Sequence, residues 1–141
     1  MDIHFNIVPK DSYDTVVPLI YELNDGRIDI SVLSERFEDM KQQNHECVGM
    51  YDGEKLIGVS GLWFCTRHYA GKSAELDHVF IIEDYRNKGL GKQFMAWIKD
   101  YIKSKDCQAI ELNTYVNNFL SHKFYYNEGL EARGYHFIQQ F

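Results

Sequence analysis

The segment DYRNKGLGKQF, residues 84–94, combines two glycines with positive charge at the start of a predicted helix. Glycines at a strand-to-helix junction let backbone N–H groups approach a ligand, because a Cβ would otherwise block them. The first turn of a helix adds unpaired N–H donors and the positive end of the helix dipole, which together favour phosphate. Arg86, Lys88 and Lys92 add cationic side chains. The segment therefore indicates a phosphate-binding loop, with a tight turn that binds nothing as the alternative.

Two common nucleotide-binding loops do not fit this segment. A Walker loop requires Ser or Thr after Gly-Lys and a glycine five residues before the second glycine, where this chain has Gln93 and Arg86. A Rossmann fingerprint requires Gly or Ala three residues after its second glycine, where the helix packs closely on a strand, and this chain has Phe94 there. A phosphate-bearing ligand of another class is therefore expected.

The elements that must position this loop follow from hydrophobic periodicity and turn signals. Asp52-Gly53 predicts the turn of a β-hairpin. The predicted strands cover residues 3–8, 47–51, 56–64, 75–82, 109–116 and 135–141, and the predicted helices cover about 11–24, 31–40, 89–104 and 119–128. The order β-α-α-β-β-β-α-β-α-β, without repeats or a linker, indicates one α/β domain over residues 1–141 with a sheet of mixed strand direction.

Two blocks of the sequence together resemble the GNAT superfamily of N-acetyltransferases. The pattern Arg/Gln-x-x-Gly-x-Gly/Ala after an apolar strand is matched by Arg86, Gly89 and Gly91. The block VNNFLSHKFYYNEGL resembles the family's next segment, Asn-x-x-Ala-x-x-ϕ-Tyr-x-x-x-Gly-Phe. Its matching residues are Asn118, Phe124, Tyr125 and Gly129, while Ser121 replaces Ala and Leu130 replaces Phe. The order and separation of the blocks make the resemblance specific, and it extends over essentially the whole chain.

The resemblance implies the acyl-CoA N-acyltransferase (GNAT) fold, a mixed and mostly antiparallel central sheet flanked by helices. In that fold the fourth and fifth strands splay apart into a slot for acetyl-CoA, the cosubstrate, and no metal is required. The backbone around Val79 and Ile81 would bind the pantetheine arm, and an N–H near Val79 or Phe80 would stabilise the acetyl oxygen. Asn118 and Phe124 would contact the cofactor from the other wall. The pyrophosphate would lie on the backbone amides of Asn87, Lys88, Gly89, Leu90, Gly91 and Lys92.

Acetyl transfer to an amine implies a general base and a general acid. For the acid, the resemblance points to Tyr125, while Tyr126 should face elsewhere, about 100° further round the helix. For the base, the strand offers Glu75 and Asp77, which alternation places on one face with Val79 and Ile81. Family members differ over which of these two positions carries the base, with Asp77, acting through a water, slightly preferred here. Alternation places His78 on the opposite face, as a structural histidine.

The composition and charge of the chain exclude several other classes of protein. A net charge of −6 and a pI near 5.4 argue against general nucleic-acid binding. No apolar run approaches the length of a membrane span, and three widely spaced cysteines without a CxxC pair indicate neither disulfides nor zinc. We therefore expect a cytoplasmic enzyme whose partners are acetyl-CoA and an amine acceptor. A homodimer is compatible with the family, and the alternative function is a non-catalytic acyl-CoA-binding regulatory module.

Overall fold

The computed structural model describes residues 1–141, which form one six-stranded sheet with helices on both faces. The strands are β1 Ile3–Val8, β2 His45–Asp52, β3 Lys55–Arg67, β4 Gly71–Leu76, β5 Phe80–Ile81 and β6 Ala109–Leu112. The α-helices are α1 Val17–Leu23, α2 Ile30–Met40, α3 Leu90–Ser104 and α4 Phe119–Asn127, with 3-10 turns at Lys10–Thr15 and Glu83–Tyr85. The expected α/β class and mostly antiparallel sheet are confirmed.

The sheet runs in the order β1-β2-β3-β4-β6, and β5 also pairs with β3. All pairs are antiparallel except β4 with β6, which are parallel from Ser73 opposite Ala109 to Leu76 opposite Leu112. Beyond that point β5 remains on β3, with Val59 opposite Phe80, but no longer pairs with the β6 side. The chain that continues from β4 into β5 therefore separates from β6 after Leu76. This is the separation that the resemblance implied for the family's fourth and fifth strands.

Each face of the sheet has its own hydrophobic core. Helix α3 packs on one face through side chains at helical spacing that are at most 4% exposed, namely Leu90, Phe94, Met95, Ile98 and Ile102. Helices α1 and α2 cover the other face together with Tyr13, Cys47 and Phe80. Fully burying one such aliphatic or aromatic side chain contributes about 1.5–3 kcal/mol, so the two layers hold the central strands rigidly.

The predicted strand 75–82 breaks between β4 and β5, and one expectation about its faces is wrong. Val79 and Ile81 pack against the α3 core, whereas Phe80 belongs to the α1–α2 core. Glu75 pairs with Trp63, whose ring lies 4.6 Å from His45 on the α1–α2 face. Irregular backbone at residues 77–79 therefore reverses the alternation, so that the two carboxylates and Val79 lie on different faces.

Two further predictions differ from the structure. The closing strand at residues 135–141 does not form, because residues 130–141 have no regular structure and make no sheet contact. The first helix is divided into the 3-10 turn and the short α1, where Pro18 stands near the helix start. Helix α2 is capped by Asp29, whose carboxylate accepts a hydrogen bond from the Ser31 N–H at 2.9 Å.

Candidate active site

The loop before α3 presents a row of free backbone donors. The N–H groups of the six consecutive residues from Asn87 to Lys92 make no hydrogen bond within the chain, and no side chain caps α3. Asn87 and Gly89 both adopt left-handed backbone conformations, with φ of 58° and 75°. Alternation of such residues with ordinary ones turns successive N–H groups toward one concavity, which suits an anion. The residues predicted to form an amide cradle therefore carry N–H donors without partners in the chain.

The glycines of the loop keep that concavity open. At Gly89 a Cβ would meet no atom within 4 Å, but the positive φ would strain any other residue except Asn or Asp. At Gly91 a Cβ would project toward Phe124, 3.7 Å away, and toward Ile81, 4.0 Å away. Loop, β5 and α4 therefore meet at Gly91. They border a cleft of about 430 Å³ lined by Gly89, Gly91, Lys92, Phe124, Asn127 and Glu128.

Arg86 ties the loop to β5. Its Nε donates a 2.7 Å hydrogen bond to the Ile81 carbonyl, and its guanidinium lies 5.2 Å from the centre of the Phe80 ring. Lys88, in contrast, extends over the Tyr85 ring at 5.7 Å and stays exposed. Arg86 therefore positions the loop, while the two lysines of the loop supply mobile positive charge.

The separation of the strands leaves backbone groups free along the slot. The Val79 N–H makes no hydrogen bond, whereas the neighbouring His78 carbonyl accepts one from the buried Ser60 hydroxyl at 2.7 Å. Phe80 is buried at 6% exposure and faces the α1–α2 core. The Val79 amide is therefore free to donate a hydrogen bond into the slot.

Helix α4 supplies the opposite wall. Asn118 caps this helix by accepting a 3.2 Å hydrogen bond from the Ser121 N–H, which leaves its side-chain NH₂ free. Phe124 and Tyr125 both pack against the α3 core, and the Tyr125 hydroxyl has no hydrogen-bond partner. Burial raises the pKa of Tyr125 above its ordinary value, so its hydroxyl stays protonated at neutral pH. Tyr126 is 59% exposed and faces away, as expected.

The two candidate bases have different partners. Glu75 is fully engaged, because its Oε2 accepts from Arg67 at 2.9 Å and its Oε1 accepts from Asn113 at 2.9 Å. Arg67 also donates to Glu111, which stands directly opposite Glu75 across the β4–β6 pair. Two like charges in that position would repel each other. Arg67 therefore links β4 to β6 just before these two strands separate.

Asp77 keeps one carboxylate oxygen free. Its Oδ2 accepts a 2.6 Å hydrogen bond from the Trp63 indole, and its Oδ1 makes no hydrogen bond within the chain. Partial burial raises the pKa of Asp77 above its ordinary value, and the negative charge of Glu75 raises it further, while the Trp63 bond acts the other way. A carboxylate with a raised pKa and a free oxygen is a better proton acceptor than one held in an ion pair.

His78 lies beside Asp77 and not on the opposite face, which corrects the expectation from alternation. A Cβ on Gly61 would lie 3.0 Å from His45 Nε2, 3.2 Å from His78 Cε1 and 3.4 Å from Asp77 Cβ. Both imidazoles have a buried Nε2 without a hydrogen-bond partner, and burial lowers the pKa of each to about 4. They are therefore neutral at physiological pH.

Comparisons with known proteins agree with this geometry. The sequence model of the acetyltransferase (GNAT) family matches residues 17–129, which is most of the chain. The chain belongs to the GNAT family of acetyltransferases. Members of this family use acetyl-CoA as the acetyl donor, and the chain is accordingly an acyltransferase. No curated protein sequence matches it.

Solved GNAT-like structures share the fold at low sequence identity. A possible acetyltransferase from Clostridium difficile 630 has a TM-score of 0.84 and 16% identity, over 99% of this chain and 97% of that one. A ribosomal-protein-alanine N-acetyltransferase from Brucella melitensis biovar Abortus 2308 has a TM-score of 0.83 and 16% identity, over 100% of both chains. AAC(6')-Iy, in complex with the bisubstrate analog CoA-S-monomethyl-acetylneamine, has a TM-score of 0.83 and 17% identity, over 99% of both chains.

Sequence reasoning missed the partners of the two carboxylates in this GNAT site. Trp63 and Arg67 lie on β3, which continues three residues beyond the predicted strand end at Phe64. Extending the hairpin register would have paired Trp63 with Glu75 and brought Arg67 to the same edge.

None of the α-helices has the length and apolar character needed to cross a membrane.

Proposed function

We propose that the protein transfers the acetyl group of acetyl-CoA to a primary amine by direct attack in a ternary complex. The observation that carries this proposal is the row of unpaired N–H groups from Asn87 to Lys92, which borders a slot between separating strands. Unsatisfied donors of this kind need a strong acceptor such as a phosphate oxygen. Membership of the GNAT family supplies the reaction class, and the residues of this chain assign the roles.

The loop and the slot hold the two ends of the cosubstrate. Asn87, Lys88, Gly89, Leu90, Gly91 and Lys92 donate backbone hydrogen bonds to the pyrophosphate, and the lysine side chains screen its charge. The backbone around Val79 and Ile81 binds the pantetheine arm as an added strand, while the free Val79 N–H is kept for the acetyl oxygen. Arg86 holds the loop against β5, while Asn118 and Phe124 close the α4 side. Acetyl-CoA itself contributes the activated acetyl thioester.

Asp77 removes the proton that blocks attack. An alkylammonium has a pKa near ~10 and carries no free electron pair, so the amine must lose a proton before it can react. The free oxygen of Asp77 accepts that proton, directly or through one water, while Trp63 fixes the carboxylate orientation. Glu75 accepts hydrogen bonds from Arg67 and Asn113 and is too tightly paired to act as the base.

Tyr125 delivers a proton to the departing sulfur. Its hydroxyl is free of internal partners, and burial keeps it protonated until it is needed. The Val79 N–H stabilises the negative charge that develops on the acetyl oxygen. Cys47 is not suited to covalent catalysis, because it is buried and burial raises the pKa of its thiol to about 12. Direct attack by the amine is therefore preferred to an acetyl-enzyme route.

A cationic amine is the acceptor class that this site favours. Glu75 and Glu111 both pair with Arg67, and Asp77 adds a third carboxylate two residues along the strand from Glu75, which leaves an excess of negative charge. Trp63 adds an aromatic face beside Asp77. The AAC(6')-Iy ligand, CoA-S-monomethyl-acetylneamine, and the name of the Brucella relative both concern amine acceptors on the same fold, which supports this choice.

Calorimetry and a thiol-release assay test the proposal together. Acetyl-CoA titrated into the protein should bind with measurable heat, and a panel of polyamines, aminoglycosides and peptide amines should release free CoA thiol with at least one member. Binding without turnover on any amine would favour a regulatory acyl-CoA-binding module instead. Absence of binding would overturn the proposal.

A further inference from the structure

The cleft between the loop and α4 contains an acidic side chain at the place assigned to a phosphate ligand. Glu128 lines the α4 side of this cleft, while Gly89, Gly91 and Lys92 line the loop side. The Glu128 side chain is only 15% exposed, so little water screens its charge. Glu128 is also the C-cap of α4, where the negative end of the helix dipole lies. Both features would repel a diphosphate in the cleft.

Lys99 lies directly behind this acidic side chain. It projects from α3, and its Nζ donates a 2.6 Å hydrogen bond to the Glu128 carbonyl. The same Nζ lies 3.9 Å from the Glu128 Oε2, within ion-pair distance. The Lys99 side chain is 27% exposed and is not one of the groups that line the cleft. One ammonium group therefore offsets the carboxylate and satisfies a carbonyl at the end of α4.

This contact also joins α4 to the body of the protein. Helix α4 has no buried residue and packs on the α3 core through Phe124 and Tyr125. The hydrogen bond from Lys99 is the one that links α4 to another helix or strand, since the other hydrogen bonds of α4 are local. Lys99 is thus placed to control the charge of the α4 wall without reaching the cosubstrate itself.

We propose that Lys99 is a positioning residue of this cleft, which neutralises Glu128 and so allows a diphosphate to bind beside α4. The inference rests on the proposed binding of acetyl-CoA at the loop. Affinity for acetyl-CoA then follows the net charge of the Lys99–Glu128 pair, which is zero in the native protein. A carboxylate left without its lysine repels the diphosphate, and a lysine left without its carboxylate attracts it.

Calorimetric titration of acetyl-CoA into three variants tests this dependence on charge. Lys99→Met gives the pair a charge of −1 and should raise the dissociation constant about tenfold. Glu128→Gln gives the pair a charge of +1 and should lower the dissociation constant about threefold. The double variant, Lys99→Met with Glu128→Gln, restores a neutral pair and should bind within about twofold of the native protein.

The double variant separates this electrostatic role from a structural one. The hydrogen bond from Lys99 to the Glu128 carbonyl is lost equally in Lys99→Met and in the double variant, so a purely structural lysine would weaken binding in both. Lys99→Arg retains the charge and should bind acetyl-CoA like the native protein. Lys103→Met removes the same charge from an exposed position one turn further along α3, and it should leave the dissociation constant unchanged.

Three results would contradict this inference. The first is native affinity in Lys99→Met, and the second is a double variant that binds as weakly as Lys99→Met. The third is a Glu128→Gln variant that binds no more tightly than the native protein, a test that retains Lys99 and its bond to the α4 carbonyl. A native protein that does not bind acetyl-CoA would instead refute the proposed function, so the two failures are distinguishable.

Discussion

Asp77 and Glu75 stand two residues apart, and their contacts assign them different tasks. Asp77 retains a free oxygen and a raised pKa, whereas both oxygens of Glu75 are occupied. A base must be deprotonated to accept a proton, so kcat/KM should rise with pH as Asp77 loses its own proton. Asp77→Asn should lower kcat/KM about a hundredfold or more and abolish this acidic limb, as measured in a pH–rate profile.

Glu75→Gln is the matched control, because it removes the other strand carboxylate and retains the shape. The acidic limb should persist in this variant, since the contacts of Glu75 with Arg67 and Asn113 are structural. Loss of the limb in Glu75→Gln, with the limb retained in Asp77→Asn, would reverse the two assignments.

Tyr125 and Tyr126 lie on different sides of α4, so their roles can be tested separately. Tyr125 packs against the α3 core with a free hydroxyl, while Tyr126 is exposed. Tyr125→Phe removes only the donated proton, so kcat should fall about tenfold or more with little change in acetyl-CoA affinity. Tyr126→Phe should match the native enzyme in both steady-state kinetics and calorimetry. Equal turnover in the two variants would remove Tyr125 from the chemistry.

At the scale of elements, we expect the start of α3 to bind acetyl-CoA because Gly91 has no side chain that would fill the space beside it. A valine there would extend from a Cβ that lies 3.7 Å from Phe124 and would fill the junction of loop, β5 and α4. Gly91→Val should therefore raise the acetyl-CoA dissociation constant about tenfold or more, as measured by calorimetry. Ala96→Val makes a similar change on the exposed side of the same helix and should leave affinity unchanged. Unaltered affinity in Gly91→Val would exclude the cradle.

The elements that sequence predicts well are those whose pattern is local. Helix α3 shows its buried residues at helical spacing, and Asp52-Gly53 marks the hairpin, so both were predicted to within a few residues. The break between β4 and β5 depends on the Ser60 and Gly61 contacts from the neighbouring strand, which a period of two cannot reveal. The reversal of faces at Val79, and the position of His78, followed from that break.

At the scale of the whole molecule, the sheet is continuous at one end and divided at the other. Arg67 joins Glu75 and Glu111 at the last common rows of β4 and β6, and the strands separate immediately beyond them. The loop before α3 and helix α4 then border the opening from opposite sides. The resemblance to the family predicted this division, whereas the ion pairs that hold its closed end became visible only in the three-dimensional register.

Two histidines in the interior should make the stability of the fold depend on pH. Burial is the main reason that the pKa values of His45 and His78 fall to about 4, with Lys10 adding to the effect at His45 and His45 at His78. In the unfolded chain their pKa values lie near ~6.5. Below that pH the two imidazoles bind protons in the unfolded state but remain neutral in the folded state. The free energy of unfolding should therefore fall as pH decreases from about 6.5 to about 4.

Each histidine accounts for up to roughly 3 kcal/mol of this loss, at about 1.4 kcal/mol per pK unit. Urea unfolding at fixed protein concentration, between pH 7 and pH 4, measures the effect. His78→Gln should have a lower stability at pH 7 but a shallower decline on acidification, because glutamine does not titrate. His68→Gln, at an exposed position, should retain the native slope. Identical slopes in the native protein and in His78→Gln would show that carboxylates, and not the buried imidazoles, set the acid limit of the fold.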